Sequence, residues 1–342
     1  MSKQNLLGYT RGQMEDIFVS LGEKAYHGKQ LFKWLYNNQQ YDFQLMSDMS
    51  KELRNRLDNE FEFRPLELRQ EVKSTDGTEK YLFALDDGHP IETVLIPEAE
   101  RSTLCISSQA GCALACSFCA TGKMGFVRNL TVGEMIGQLM YVRDRRGSDS
   151  FTNVVFMGMG EPFNNYDNTL NALDIMCDHS GLGIAARRVT VSTVGIIPKI
   201  RKYAESGQKA NLALSLHAAT QEKRERLVPV AKKYPLDELI DALCYYTGIT
   251  KRRVMIEYIL FAGINDSKDD ALALARLLQG LPCKINVLTC NPVAGLGFDA
   301  PSDEIVDTFV NILYPRAPAV TVRKSRGQDI DAACGQLAAK AD

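Results

Sequence analysis

From about residue 102 to the end of the chain, short apolar segments typical of β-strands alternate with amphipathic segments typical of helices. The strand candidates are TLCISS, TNVVFMG, RVTVST, ANLALSL, RVMIEYIL, CKINVLTC and AVTVRK. Strands separated by helices indicate a parallel sheet, and about six such units curving round indicate a complete or partial barrel. Functional residues in such folds lie at the carboxyl ends of the strands. We therefore predict an α/β fold with a partial, TIM-like (β/α)6 barrel.

Helix starts in this region fit the same interpretation. Thr131 is followed three residues later by Glu134, which is the pattern of a capping box. Ser267 and Ser302 stand at the start of two further amphipathic segments. We therefore predict helices between the strands.

The first hundred residues follow two other patterns. Up to about residue 63, apolar residues recur at helical spacing, as in Leu31, Trp34 and Leu35. From about residue 66 to 98, alternating strand-like runs are separated by Asp-Gly turns. The predicted parts of the chain are a helical accessory domain at 1–64, a β-hairpin linker or short β extension at 65–97, and a core with a C-terminal tail at 98–342.

Composition excludes several classes of protein. With 45% hydrophobic and 24% charged residues, the chain is neither disordered nor fibrous. Its 40 Lys and Arg residues against 42 Asp and Glu leave a formal charge of −2, so any nucleic acid must be bound by local basic patches. The first residues lack the layout of a signal peptide, and no apolar run of about 18 residues occurs. We predict a cytoplasmic protein without membrane contact.

Three cysteines follow the first strand of the alternating region, in the segment GCALACSFCATG. Cys112, Cys116 and Cys119 have the spacing C-x3-C-x2-C at the carboxyl end of that strand. Three thiolates can bind three irons of a [4Fe-4S] cube and leave the fourth iron open to a small molecule. A structural zinc site is the alternative, but it needs four ligands, and no second Cys or His pair stands nearby in the sequence. We therefore predict an iron–sulfur cluster.

This cysteine triple resembles the signature of the radical S-adenosylmethionine (SAM) superfamily. Further strings occur in the order found in the RlmN and Cfr family of RNA adenine methyltransferases, over most of residues 90 to 337: CISSQAGCALACSFCATG, RNLTVGEM, FMGMGEP, RRVTVSTVG, SLHA, GINDS and RKSRGQDIDAACGQL. The resemblance implies SAM contacts at Gly160, Glu161, Ser192, Ser215, Leu216, His217 and Asn291. The residues alone also allow simpler roles, such as a glycine turn, serine caps at strand ends and a core histidine.

Two cysteines outside the triple, Cys105 and Cys334, would ordinarily be buried core thiols. The resemblance implies that Cys334 takes a methyl group from one SAM, and that a radical derived from a second SAM activates this methyl group for addition to the base. It implies that Cys105 then releases the product by forming a transient disulfide with Cys334. Glu92 matches the acidic residue that removes a proton from the adduct, although a lone Glu on a strand more often faces solvent. The other cysteines outside the triple are predicted to be structural: Cys177, Cys244, Cys283 and Cys290.

The resemblance also implies the substrate. RlmN-type members methylate C2 of an adenine in 23S rRNA near the peptidyl-transferase centre and can modify the tRNA adenine beside the anticodon. Cfr-type members methylate C8 of the same ribosomal adenine and confer antibiotic resistance. C2 is an electron-poor carbon between two ring nitrogens and cannot attack a SAM methyl group directly, which explains the need for a carrier thiol. Pro162 in GEP favours the RlmN type. A reducing donor such as flavodoxin is also implied.

Two regions are predicted to contact RNA. The segment RKSR, residues 323–326, directly precedes the tail and can hold phosphate near the active site. The N-terminal module with Lys29, Lys33 and Trp34 resembles the family's accessory domain and is predicted to grip folded RNA while the target base is splayed out. Two alternatives stay open: a non-catalytic RNA-binding protein with structural zinc, and a radical SAM enzyme acting on a peptide or small molecule.

Overall fold

The N-terminal part of the chain is helical. In the computed structural model, which describes residues 3–317 and 319–338, two short parallel strands flank three helices. These elements are β1 (Gln4–Asn5), α1 (Arg11–Ser20), α2 (Tyr26–Tyr36), α3 (Lys51–Glu60) and β2 (Phe61–Glu62). Ser50 Oγ accepts a hydrogen bond from Leu53 N at 3.2 Å and so caps α3. Leu31 and Leu35 are fully buried, so the apolar face predicted from their spacing is the face that packs inward.

A ten-stranded sheet forms the centre of the molecule. The strands that follow β2 along the chain are β3 (Glu67–Lys73), β4 (Glu79–Ala84), β5 (Pro90–Pro97), β6 (Ser102–Cys105), β7 (Gln109–Gly111), β8 (Phe126–Asn129), β9 (Asn153–Phe156), β10 (Val189–Thr193), β11 (Asn211–Ser215), β12 (Val254–Leu260), β13 (Cys283–Thr289) and β14 (Val320–Arg323). The spatial order is β14-β13-β12-β11-β10-β9-β6-β5-β4-β3, and β7 and β8 form a separate antiparallel pair. Each strand predicted from the alternating region is present, and the sheet stays open between β14 and β3, which confirms the partial barrel.

The sheet has a parallel part and an antiparallel part. Strands β6 and β9 to β14 pair in parallel, and β10, β11 and β12 are almost entirely buried, as a sheet covered on both faces requires. Strands β3, β4 and β5 continue the same sheet as an antiparallel meander that joins β6 through β5. The segment predicted as a linker therefore contributes three strands to the central sheet.

Helices connect the parallel strands. They are α4 (Ala120–Lys123), α5 (Val132–Arg146), α6 (Tyr166–Cys177), α7 (Ile197–Glu205), α8 (Gln221–Leu227), α9 (Leu236–Thr250), α10 (Lys268–Leu277) and α11 (Asp303–Leu313). The predicted capping box of α5 is confirmed, because Glu134 N donates to Thr131 Oγ1 at 3.2 Å and Thr131 N donates to Glu134 Oε2 at 2.8 Å. No helix in residues 3–317 and 319–338 is long and apolar enough to cross a membrane.

After β14 the chain crosses to the turn between β3 and β4. Gly327 N donates to Asp76 Oδ2 at 2.9 Å. Asp329 accepts from Ser74 Oγ at 2.6 Å and from Thr75 N at 3.1 Å. The following residues, up to 338, lie against the cysteine-bearing loop. This C-terminal segment, residues 324–338, is called the tail below.

Candidate active site

The three cysteines of the triple lie in the loop between β7 and α4. Gly111, just before Cys112, has a φ of +70°, and a Cβ there would lie 1.9 Å from Gly125 O, so only glycine fits. Cys112 N donates to Gly125 O at 2.9 Å, and Cys119 N donates to Cys116 O at 3.1 Å. Burial raises the pKa of the Cys112 thiol to about 12 and raises that of Cys116 as well. Without a bound cation or metal, these thiols are therefore protonated.

A cavity at the carboxyl ends of the parallel strands collects the triple and most of the predicted SAM positions. Its empty volume, including the solvent-filled space at its open mouth, is about 950 Å³. The predicted residues that line it are Cys112, Cys116, Cys119, Gly160, Glu161, Ser192, Ser215 and His217. Of the two other predicted SAM residues, Leu216 is fully buried and Asn291 binds the tail, donating from Nδ2 to Cys334 O at 3.1 Å. We call this space the cluster cavity.

Glu161 places a buried carboxyl group beside the triple. Its Oε1 accepts from Phe163 N at 3.0 Å and its Oε2 accepts from Val194 N at 2.9 Å. Burial raises the pKa of Glu161 to about 7, although these hydrogen bonds act in the opposite direction. At Gly160, with φ of +97°, a Cβ would lie 2.4 Å from Gln109 Cβ, so the glycine lets this segment pack directly against β7. A buried acceptor in this position suits a cationic ligand group such as an amino group.

Ser192, Ser215 and His217 stand at the ends of neighbouring strands. The hydroxyl oxygens of Ser192 and Ser215 are 3.5 Å apart. Ile259 N donates to His217 Nδ1 at 3.2 Å, which leaves the imidazole proton on Nε2. Burial lowers the pKa of His217 to about 3, so the ring is neutral. The site therefore offers two hydroxyls and a neutral imidazole to a polar ligand.

Cys334 lies between the cluster cavity and a second cavity. The second cavity is also lined by Cys105 and by a set of charged side chains: Glu98, Arg101, Arg323, Lys324 and Arg326. Besides Cys334, the residues that line both cavities are Met157, Leu288, Arg323 and Leu337. Burial raises the pKa of the Cys105 thiol to about 12 and raises that of Cys334, while the Arg323 charge opposes both shifts. We call this second space the basic cavity.

Comparison with known proteins matches both parts of the chain. Residues 4–63 match the family model of the RlmN N-terminal domain, described as the ribosomal RNA large subunit methyltransferase N-terminal domain, and residues 106–275 match the radical SAM superfamily. The chain is 45% identical to the dual-specificity RNA methyltransferase RlmN of Desulfotalea psychrophila, over 98% of this chain and 95% of that protein. It is 44% identical to RlmN of Alcanivorax borkumensis, over 98% and 90% respectively. This chain belongs to the RlmN family.

A solved structure agrees with this assignment. The crystal structure of a radical SAM methyltransferase from Sphaerobacter thermophilus superposes with a TM-score of 0.92 at 44% identity, covering 98% of this chain and 100% of that one. The partial barrel predicted from the alternating strands and helices, and the radical SAM fold implied by the resemblance, are thus confirmed.

Radical SAM proteins carry a [4Fe-4S] cluster and bind SAM, and the donor set here fits both. Three thiols share one cavity with the carboxylate, hydroxyl and imidazole groups described above. Within residues 3–317 and 319–338, no three or more His, Cys, Asp and Glu side chains are arranged to hold a metal ion. Cys112, Cys116 and Cys119 would hold the cluster through their thiolates, and the cluster would supply one-electron chemistry to SAM in the same cavity.

Glu92 is a residue of β5 that contacts the end of the tail. It is buried and does not face solvent, and its Oε1 is 3.0 Å from Lys80 Nζ. Its Oε2 accepts from Ala338 N at 2.9 Å. Glu92 lines a third cavity together with Lys80 and Lys123, while Cys105 and Cys334 line the basic cavity. On β5, Glu92 is two residues from Val94, which pairs with Cys105 on β6, so Glu92 and Cys105 lie on the same face of the sheet.

Sequence reasoning missed the contacts that dock the tail on the cysteine loop. Ala120 N donates to Gly335 O at 2.8 Å, and Thr121 Oγ1 donates to Leu337 O at 2.6 Å. Gln336 Nε2 donates to Pro292 O at 3.1 Å. Bonds to backbone oxygens leave no residue pattern, so no motif could have shown them. Asn291, predicted as a SAM residue, takes part in the same docking through Cys334 O.

Proposed function

We propose that this chain methylates C2 of an adenine in 23S rRNA near the peptidyl-transferase centre, and the tRNA adenine beside the anticodon, with Cys334 as the methyl carrier and Cys105 as the releasing thiol. The observation that supports this most is the position of Cys334 in the wall shared by the cluster cavity and the basic cavity. A carrier must meet SAM on one side and the RNA base on the other. The names of the relatives, dual-specificity RNA methyltransferases, support the substrate class.

On the SAM side, Cys112, Cys116 and Cys119 would hold the cluster through three irons. The cavity residues Gly160, Glu161, Ser192, Ser215 and His217 would hold SAM, with Leu216 and Asn291 completing the predicted set. When bound, these groups supply a carbon radical that abstracts hydrogen from a methyl group. Cys334 must first lose its thiol proton so that its sulfur can attack the methyl carbon of a first SAM, with S-adenosylhomocysteine as the leaving group. Arg323 favours the thiolate, because its positive charge opposes the effect of burial on the Cys334 pKa.

On the RNA side, the basic cavity gathers four cationic side chains against one carboxylate: Arg101, Arg323, Lys324 and Arg326, with Glu98. Such a surface attracts phosphate oxygens and fixes the RNA backbone close to Cys334. The N-terminal helical domain, residues 1–64, would grip folded RNA, and the adenine would be turned out of its stack to reach the sulfur. A reducing protein such as flavodoxin would supply electrons, and the cytoplasm is the compartment that contains these RNAs.

Release of the product needs a second thiol and a base. The Cys105 thiolate attacks the Cys334 sulfur and the S–S bond forms. The bond from that sulfur to the methylene carbon breaks with its electron pair on the carbon, which takes up a proton to become the product methyl group. We propose that Glu92 removes the ring proton. The Glu92 carboxylate accepts a hydrogen bond from Ala338 N. The end of the tail must therefore move away from Glu92 before the carboxylate can contact the adenine ring. An external thiol donor then reduces the disulfide.

The test is mass spectrometry of nucleosides from RNA that lacks its native adenine methylation, after anaerobic incubation with the reconstituted protein, reductant and SAM. We expect 2-methyladenosine in rRNA and tRNA fragments. A matched control is Cys290→Ala, a buried cysteine of the core that should leave the product unchanged. Formation of 8-methyladenosine would assign the Cfr-type reaction, and no methylated adenine from a fully loaded protein would refute the proposal.

A further inference from the structure

Arg224 is a buried cation without a protein anion as its partner. It lies in α8 with none of its surface exposed to solvent. Its Nη2 donates to Val194 O, but Nε and Nη1 are buried and have no hydrogen-bond partner among the described residues. Burial lowers the pKa of the guanidinium to about 10, and the group that opposes this shift is the Cys116 thiol. An arginine in such a place is unusual, because an uncompensated charge is costly to bury.

Helix α8, which contains Arg224, is bonded to the loop that contains the cysteine triple. Ser117 N donates to Leu227 O at 3.0 Å, and Ser117 Oγ donates to the same oxygen at 3.3 Å, so the last residue of α8 is bonded to the cysteine loop between Cys116 and Cys119. Arg224 is one helical turn before Leu227. The guanidinium donates to Val194 O, and Val194 lines the cluster cavity, so the charge lies directly behind the cavity wall.

Glu161 is bound to the same residue as Arg224 but makes no hydrogen bond with the Arg224 guanidinium. Glu161 and Arg224 bind opposite ends of the same residue, since Val194 N donates to Glu161 Oε2 and Val194 O accepts from Arg224. The other Glu161 oxygen accepts from Phe163 N. Both Glu161 oxygens thus accept from backbone N–H groups and neither accepts from Arg224, whose Nε and Nη1 keep two donors for another anion.

We propose that Arg224 is the counter-charge of the iron–sulfur cluster and raises its reduction potential. A [4Fe-4S] cube with three thiolates has one net negative charge when oxidised and two after it accepts one electron. A fixed buried cation stabilises the more negative state more strongly, so it eases the reduction by the external electron donor. The proposal rests on cluster binding by Cys112, Cys116 and Cys119, and goes beyond it in giving Arg224 a role in electron uptake.

The decisive experiment is a redox titration of the reconstituted full-length protein without SAM or RNA, with the reduced cluster followed by electron paramagnetic resonance. We compare Arg224→Gln and Arg224→Lys with Arg226→Gln, a control that removes a charge from an exposed position of the same helix. Arg224→Gln should lower the ratio of reduced to oxidised cluster at a fixed potential by about tenfold, equal to a midpoint about 59 mV lower. Arg224→Lys, which keeps the charge, should stay close to the wild type.

A purely structural role would give a different pattern. If Arg224 only held Val194 in place, Arg224→Gln, with a side-chain amide that can still donate to Val194 O, would have the midpoint of Arg226→Gln, and this result would overturn the proposal. Iron content is measured in each sample, so a wild type that binds no iron would refute the proposed cluster site and not the role of Arg224.

Thermal unfolding of apo and loaded protein decides the matter if the loaded variant is hard to prepare. The apo form of Arg224→Gln should be at least as stable as the apo wild type, because it lacks an uncompensated buried charge, and loading should raise its melting temperature less than that of the wild type. An apo variant that is much less stable than the apo wild type, or fails to fold, would overturn the proposal, because Arg224 would then stabilise the fold without the cluster.

Discussion

The ion pair between Lys80 and Glu92 should be a main support of the tail. Lys80 Nζ lies 3.0 Å from Glu92 Oε1, and the two side chains are only 15% and 3% exposed. Glu92 Oε2 also accepts from Ala338 N, and Lys80 Nζ donates to Asp331 O at 3.3 Å. The pair therefore connects β4 and β5 with two positions of the tail. Lys80→Met keeps most of the side-chain volume and removes the charge.

The structure sets the size of the effect. Removing one partner of a buried ion pair typically costs about 3–5 kcal/mol, because the other charge stays in a poorly solvated place. Because Lys80 keeps a little contact with water, we expect Lys80→Met to lower the free energy of unfolding by about 3 kcal/mol, the lower end of this range. This loss corresponds to about a hundredfold change in the unfolding equilibrium constant. Lys73→Met is the matched control: its pair with Glu79 spans 3.4 Å, but Lys73 is 64% exposed. Exposed pairs contribute only about 0–1 kcal/mol.

The assay is urea unfolding of the wild type, Lys80→Met, Glu92→Gln and the double variant. If the two side chains stabilise each other, the double variant loses less than the sum of the single losses, by at least about 1 kcal/mol. Losses that add within about 0.5 kcal/mol would refute the reasoning, because independent sites behave in that way. So would a loss for Lys80→Met no larger than that for Lys73→Met.

Three further outcomes follow from the site. Cys334→Ala should abolish RNA methylation while iron content and SAM cleavage persist; retained methylation, measured by nucleoside mass spectrometry, would exclude the carrier role. Cys105→Ala should accumulate protein covalently joined to RNA, visible as a slower band on a denaturing gel, and recovery of only free methylated RNA would count against the releasing role. Asp329→Ala removes the acceptor for Ser74 Oγ and Thr75 N, so the tail should detach more often and Cys334 should react faster with an alkylating reagent at unchanged iron content; an unchanged alkylation rate would show that this anchor is dispensable.

Local patterns predicted the elements of the fold well. Strands β9 to β14 were evident because parallel strands buried on both faces are continuous apolar runs. The capping box at Thr131 was evident because its two partners are three residues apart. The cysteine loop and the glycine turn at Gly160 are likewise contained in short segments, and the order of strands in a barrel brings them together.

Contacts between residues far apart along the chain could not be predicted from the sequence. The burial of Glu92 depends on Lys80 from the neighbouring strand and on Ala338, which is far away along the chain. Nε and Nη1 of Arg224 have no hydrogen-bond partner among the described residues. The sequence of helix α8 alone does not show which residues of other elements will surround this side chain. Strands β3 to β5 lie in the segment predicted as a β-hairpin linker or short β extension, and alternation alone does not show that β5 pairs with β6 of the central sheet.

The crossing of the tail has a mechanical consequence. The sheet has two ends, β14 and β3, and the chain after β14 is fastened through Gly327 and Asp329 to the turn that joins β3 to β4. The distance between the two end strands of an open twisted sheet can change. The tail is attached to both end regions, so its position changes with that distance. The separation of the two end strands and the placement of Cys334 at the cavity wall are therefore coupled through one segment of the chain.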